Sequence, residues 1–386
     1  MPEDWQEAGF GLYVHWPYCQ AKCPYCDFNS HVAAEIDQES WAEAYVGEID
    51  RIARATGPRL LNSIFFGGGT PSLMDPELVS TTINAAAQAW PFANDCEITL
   101  EANPTSSEAG RFRAYCDAGV NRLSLGVQAL RDGDLRRLGR LHDSREALAA
   151  YEMARSIFDR VSFDLIYARQ GQSLASWEAE LGEALSLNPD HLSLYQLTIE
   201  PNTAFGALAR RGKLIDLPDE DLAADMYEIT QELCHNAGLP AYEISNHARP
   251  GEESRHNMIY WRYGDYAGIG PGAHGRLTLN RQKQATVAIA QPDHWLRAAL
   301  KREAPEKPAC PLSPEEQATE YLMMGLRLTE GISLSRFHKL SRGRISLSGL
   351  NRLQEQGLVS VRDDNLRATA KGRPLLNAIL REIQSP

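Results

Sequence analysis

HWPYCQAKCPYCDFNSH, residues 15–31, sets Cys19, Cys23 and Cys26 within one short loop and surrounds them with aromatic and imidazole rings. The whole chain has seven cysteines, so three in one loop is a concentration that asks for chemistry. Thiols spaced C-x3-C-x2-C suit a soft metal or an iron–sulfur cluster. A structural zinc site takes four ligands, commonly from two C-x2-C pairs, and no second pair occurs here. A four-iron cluster normally takes one cysteine per iron, so three cysteines leave one iron open to another ligand. Cys96, Cys116, Cys234 and Cys310 stand singly and read as ordinary core thiols, although Cys310-Pro311 is also a dipeptide that can ligate heme through thiolate.

That loop follows the first of six short apolar runs, expected as strands at Leu12–His15, Ser63–Phe66, Glu97–Glu101, Arg122–Val127, Val161–Ile166 and His191–Leu197. Amphipathic stretches lie between them, at Trp41–Ala55, Pro76–Trp90, Ser107–Ala118, Ser144–Ile157 and Ser176–Leu187. Strand–helix–strand units of this kind hold parallel strands, and six in a row favour an α/β partial (β/α)6 barrel over an open doubly wound sheet. Ligands of such folds gather at the carboxyl ends of strands. The unusual residues fall there: the cysteine loop, Gly67–Pro71, Glu101–Pro104, Gln128, Asp164 and Tyr195-Gln196. One shared cavity is the economical reading of six such features at six equivalent places.

The barrel is expected over residues 1–300, a proline-broken linker over 301–314, and a second domain over 315–386. In that last part a helix at Glu315–Leu328 precedes two shorter ones near Leu334–Leu340 and Ser346–Gln356, and a hairpin of Leu358–Val361 with Leu366–Thr369. Helices followed by a hairpin give a winged-helix-like α+β domain, read as a lid or docking module because it lacks a Lys/Arg stripe. A net charge of −12, no apolar run of membrane-spanning length and an acidic start without a signal-like h-region point to a cytoplasmic protein that does not bind nucleic acid.

On these motifs the chain resembles the radical S-adenosylmethionine (SAM) superfamily, and from Tyr13 onward it is similar to oxygen-independent coproporphyrinogen III dehydrogenase and to the heme chaperone family HemW. The resemblance implies a [4Fe–4S] cluster on Cys19, Cys23 and Cys26 whose fourth iron takes the amino and carboxylate groups of SAM, and one-electron cleavage to a 5′-deoxyadenosyl radical. It also implies SAM contacts from Gly68, Gly69, Thr70, Glu101, Gln128, Arg140 and Asp164, with Tyr13 and Tyr25 as aromatic contacts. The dehydrogenases carry a fourth cysteine two residues past the third; here that position is Phe28, which disfavours dehydrogenase activity and points to the chaperones. His256-Asn257-Met258-Ile259-Tyr260-Trp261 matches their HNxxYW motif. His256 is therefore expected as heme ligand, supported by Tyr260 and Trp261.

The implied function is a heme chaperone that delivers heme to acceptors such as respiratory hemoproteins, with an electron donor and peripheral membrane contact as further partners. The alternative is the dehydrogenase of porphyrin biosynthesis. The glycine-rich stretch 266–274 lacks the helix and acidic residue of a dinucleotide site and is expected as a loop closing the barrel.

Overall fold

Six strands stand where the apolar runs fall: β1 (Phe10–Trp16), β2 (Leu61–Gly68), β3 (Phe92–Ala102), β4 (Arg122–Gln128), β5 (Arg160–Tyr167) and β6 (His191–Gln196). They come from a computed structural model that describes residues 3–33, 35–341 and 345–384. The six lie side by side in chain order, each neighbouring pair parallel. That order has no reversal, so the fold is a partial barrel rather than a doubly wound sheet. Burial on both faces explains the unbroken apolar runs: every residue of β1 but Tyr13 is buried.

Helices Gln38–Thr56, Pro76–Ala89, Ser144–Ile157 and Leu174–Ser186 carry the crossovers. Asp37, Asp143 and Ser173 cap three of them by accepting backbone N–H bonds that would otherwise be unpaired. The stretch expected as one helix over Ser107–Ala118 is two, Ser106–Ala109 and Phe112–Asp117, broken at Gly110 and Arg111. Trp41 of the first crossover helix stacks on Trp295 of helix Pro292–Leu300, centroids 5.4 Å apart and planes 9° from parallel.

The sheet continues past both ends of the expected barrel. β7 (Asn246–Ala248) pairs antiparallel with β6, and β8 (Asp265–Ile269) pairs parallel with β1 on its other side. β9 (His274–Leu279), β10 (Gln282–Val287) and the two-residue β11 (Cys310–Pro311) extend that side antiparallel. The loop expected over 266–274 is thus corrected: most of it is the end of β8 and a turn into β9. Glycine is needed there for close approach. A Cβ on Gly268 would fall against the His274 carbonyl oxygen, and one on Gly264 would sit 2.7 Å from the Gly9 oxygen. The proline-rich stretch 301–314 contributes β11 as an edge strand.

Helices Pro314–Gly325, Leu334–Ser341 and Leu347–Glu355 pack with a three-stranded antiparallel sheet in the order Ile332–Ser333, Asn365–Ala368, Val359–Arg362, whose first strand lies between the first two helices, and helix Leu376–Gln384 closes this winged-helix-like unit. It has its own apolar core around Leu326, Leu366 and Ile379, joined by Tyr263 from the barrel side. Arg336 reaches back to Asp4 with two 2.8 Å bonds, and Arg276 pairs with Glu320.

Asp265, at the start of β8, is fully buried and accepts from Arg59 at 2.7 Å, Lys283 at 3.2 Å and Thr278 Oγ1 at 3.0 Å. Removing that carboxylate strands two buried cations. Asp265→Ala is expected to cost about 3–5 kcal/mol, read as a fall in the urea midpoint against wild type.

Candidate functional site

The turn after β2 and the loop after β1 are tied by backbone bonds. Gly69 N–H donates to Trp16 O at 2.7 Å and Thr70 N–H to Tyr18 O at 2.8 Å. The two backbones approach so closely that side chains are excluded. A Cβ on Gly69 would lie 2.6 Å from the Tyr18 oxygen, and one on Gly68, where φ is 111°, would lie 2.6 Å from the His15 ring. A further short parallel pair, Tyr18–Cys19 with His31–Val32, closes the cysteine loop on itself.

Above this junction a cavity of about 360 Å³ opens at the carboxyl ends of β1–β6. It brings together eleven of the fifteen residues expected at the site: Cys19, Cys23 and Cys26 with Tyr25; Gly68, Gly69 and Thr70; and Glu101, Gln128, Arg140 and Asp164. Its size suits a small molecule. The three cysteines are free thiols, each half-buried. Among the described residues no three His, Cys, Asp or Glu side chains converge on one ion-sized point.

Arg140 follows helix Asp132–Arg137 and turns inward rather than to solvent. Its Nη1 donates to Cys23 Sγ at 3.4 Å, and its Nη2 donates to Gly126 O at 2.8 Å and to Asn103 Oδ1. Asn103 Nδ2 in turn donates to Thr70 Oγ1 at 3.2 Å, so one chain of bonds joins the cysteine loop, the glycine turn and the end of β3. Gly139, with φ at 69°, makes the bend and packs where a Cβ would lie 2.7 Å from Pro24. Asn103 was missed as a residue, although its motif at the β3 end was noted.

Gln128 has φ at 72°, a left-handed conformation costly for a side chain of its kind, at a break in register between β4 and β5. The irregularity sits at the cavity wall. Two carboxyls face the same space. Burial, and then the nearby Asp164, push Glu101 up to about 8; burial pushes Asp164 up to about 6. Asp164 Oδ1 and Arg140 Nε are buried without a partner, an acceptor and a donor left open beside the cavity. A cationic, hydroxyl-rich molecule with a carboxylate would satisfy both.

The other four expected residues lie elsewhere. Tyr13 and Tyr260 line a second cavity of about 370 Å³, which shares Phe28, Gly68 and Glu101 with the first. His256 is buried behind it, with Nδ1 at 2.7 Å from Ser63 Oγ and Nε2 at 2.5 Å from the Tyr260 hydroxyl. Burial pulls its pKa down to about 3, so the ring is neutral, and both nitrogens are already engaged. The expected heme ligand therefore presents no free ring nitrogen to either cavity in this structure. Trp261 faces the C-terminal unit, its ring under Arg327 at 4.7 Å, and not either cavity.

The family model described as the radical SAM superfamily matches residues 13–182, and that described as the HemN C-terminal domain matches 312–375. The chain is 39% identical to radical S-adenosyl methionine domain-containing protein 1, mitochondrial, of Bos taurus, covering 97% of this chain and 87% of that one. It is 35% identical to heme chaperone HemW of Bacillus subtilis, covering 95% and 97% respectively. With heme chaperone HemW of Escherichia coli it shares 45% identity over 69% of this chain and 70% of that one. The solved structure of coproporphyrinogen III oxidase (HemN) from Escherichia coli superposes with a TM-score of 0.81 at 23% identity, over 98% of this chain and 90% of that chain, a likeness of fold.

Gly69→Ala is expected to push the glycine turn off the cysteine loop. Iron and sulfide bound per chain after anaerobic reconstitution should fall to a small fraction of wild type, while far-ultraviolet circular dichroism keeps the barrel's helical signal.

Proposed function

Since the chain belongs to the HemW heme-chaperone family within the radical SAM superfamily, a family that implies a [4Fe–4S] cluster and SAM, we propose that it carries heme and delivers it to hemoprotein acceptors. The observation that carries this reading is the joined pair of cavities. One gathers the three cysteines with Arg140, Glu101 and Asp164, and the other is lined largely by aromatic rings, with Phe28 in the lining of both.

We assign Cys19, Cys23 and Cys26 to the cluster. The bound cluster and SAM would supply one-electron chemistry at a sulfonium. The chain's own residues do the holding. Arg140 neutralises charge beside Cys23 and has Nε free for a carboxylate. Gly68, Gly69 and Thr70 let backbone approach the ligand, and Glu101 and Asp164 accept from an ammonium or from ribose hydroxyls. Tyr25 and Gln128 complete the wall.

Phe28 supports delivery over porphyrinogen oxidation. Its ring is 57% exposed and offers no ligand where a fourth thiol would stand. Among the described residues no helix is long and apolar enough to cross a membrane. We propose that heme delivery takes place in the cytoplasm, with membrane hemoproteins met only peripherally. An external electron donor would reduce the cluster.

The test loads the anaerobically reconstituted chain with hemin and mixes it with an apo-hemoprotein. Heme should pass to the acceptor, followed by the acceptor's own spectrum. Retention of heme by the loaded chain, or conversion of coproporphyrinogen III to protoporphyrinogen in the presence of SAM and reductant, would overturn the reading.

The raised pKa of Glu101 sets a pH dependence. In the empty site the carboxyl holds its proton below about pH 8, and a cationic ligand favours the ionised form, so binding there must release that proton. SAM affinity is expected to fall as pH is lowered from about 8 toward 6, where Asp164 begins to protonate as well. Glu101→Gln should bind more weakly at pH 8 and flatten that slope, measured by equilibrium dialysis with labelled SAM.

A further inference from the structure

A histidine that binds heme iron needs a neutral ring with a nitrogen free of other bonds, facing a space that admits a flat porphyrin. His256 fails both geometric conditions. Its two nitrogens are engaged by Ser63 and Tyr260, and it lies behind the cavity wall. His15 lies in the wall but is equally committed, with Nδ1 at 3.0 Å from the Tyr13 hydroxyl and Nε2 at 2.9 Å from Asn29 O.

His274 is different. It is the first residue of β9, exposed, and shares the lining of the second cavity with Tyr260 and Tyr266. Among the described residues neither of its ring nitrogens has a hydrogen-bond partner. Its backbone, by contrast, is firmly placed. Asn29 Nδ2 donates to Pro271 O at 2.9 Å and Ala290 O at 2.8 Å, Gly272 N–H donates to Ile289 O at 3.0 Å, and Ala288 N–H donates to Ala273 O at 2.8 Å. The turn that presents the imidazole is thus pinned to the cysteine loop through Asn29. Partial burial, with Arg276 and Lys307 nearby, lowers its pKa, so the ring favours the neutral, ligating form.

The surroundings suit heme in other respects. Tyr260 and Tyr266 pack edge to face with centroids 4.3 Å apart, and Phe28 adds an apolar surface. Arg276 is committed to Glu320. Lys307 is exposed and, among the described residues, has no ion pair; its N–H donates to Val287 O, and Val287 stands across the strand pair from His274. A free cation beside the imidazole can meet a heme propionate.

We propose that heme seats in this second cavity with His274 as its axial iron ligand and Lys307 as a propionate partner, and that His256 is a positioning residue which holds the Tyr260 hydroxyl in the cavity wall. This inference rests on the heme-carrying reading above. It accounts for a motif whose histidine is buried while its tyrosine reaches the cavity, and an exposed ligand suits a cargo that has to leave.

The experiment is hemin titration of the full-length chain, followed by electron paramagnetic resonance of the ferric heme, in wild type, His274→Ala and His256→Gln. Cluster iron content serves as the check that each variant is folded. His274→Ala should lose about tenfold or more in hemin affinity and change the ferric signature, and added imidazole should restore that signature. His256→Gln should weaken affinity yet keep the wild-type signature. A His274→Ala protein that binds hemin with the wild-type signature overturns the ligand assignment and leaves the heme-carrying reading standing. A signature lost in His256→Gln and kept in His274→Ala moves the ligand to His256. Wild type that takes up no stoichiometric heme overturns the underlying reading and this inference with it.

Discussion

Two backbone hydrogen bonds, from Gly69 to Trp16 and from Thr70 to Tyr18, fasten the turn after β2 to the chain entering the cysteine loop. Much of the site depends on that junction. It extends the parallel ladder of β1 and β2 past the sheet, so the loop bearing Cys19, Cys23 and Cys26 continues a rigid element. Thr70 passes the constraint on to Asn103, Asn103 to Arg140, and Arg140 to Cys23, a ring of contacts that closes on the loop where it began. Glycine is required at the fastening because two backbones occupy the volume of a side chain. The glycine run is therefore a packing device first, and its openness to a ligand follows from that.

The sequence was readable where burial is two-sided and local. β1 to β6 appear as apolar runs because helices cover one face and the barrel interior the other. β8 was missed for the opposite reason. Its residues, Asp265 to Ile269, include Gly268, and it gains its place through close contact with the His274 backbone and a salt bridge to Arg59 far along the chain. Neither leaves a period in the sequence. The one helix that divided in two did so at Gly110, a residue whose effect depends on whether neighbouring contacts hold the turn together.

For the site, strand-end position carried most of the information. Residues as far apart as Cys19 and Asp164 meet because parallel strands in sequential order bring every carboxyl end to one side. What position could not supply was the direction of a side chain. His256 carries the chemistry of a ligand, and its six-residue motif says nothing of Ser63, 193 residues away, which takes one of its nitrogens. Arg140 presents the converse case: a charge beside a short helix that looks solvated in sequence is drawn inward by the Gly126 carbonyl and a thiol.

Phe28 links the two halves of the molecule's chemistry. It sits in the cysteine loop, yet its ring borders both cavities, together with Gly68 and Glu101. A thiol there would add a fourth sulfur near Cys19, Cys23 and Cys26. A phenyl ring adds none and instead gives the neighbouring space an apolar side, as a flat, largely apolar cargo requires. Glu101 on the same border is held largely protonated by burial, so the partition between the cavities bears little charge. A cation bound in the first cavity would draw the proton from this shared carboxyl, and the charge left behind would face the second cavity as well.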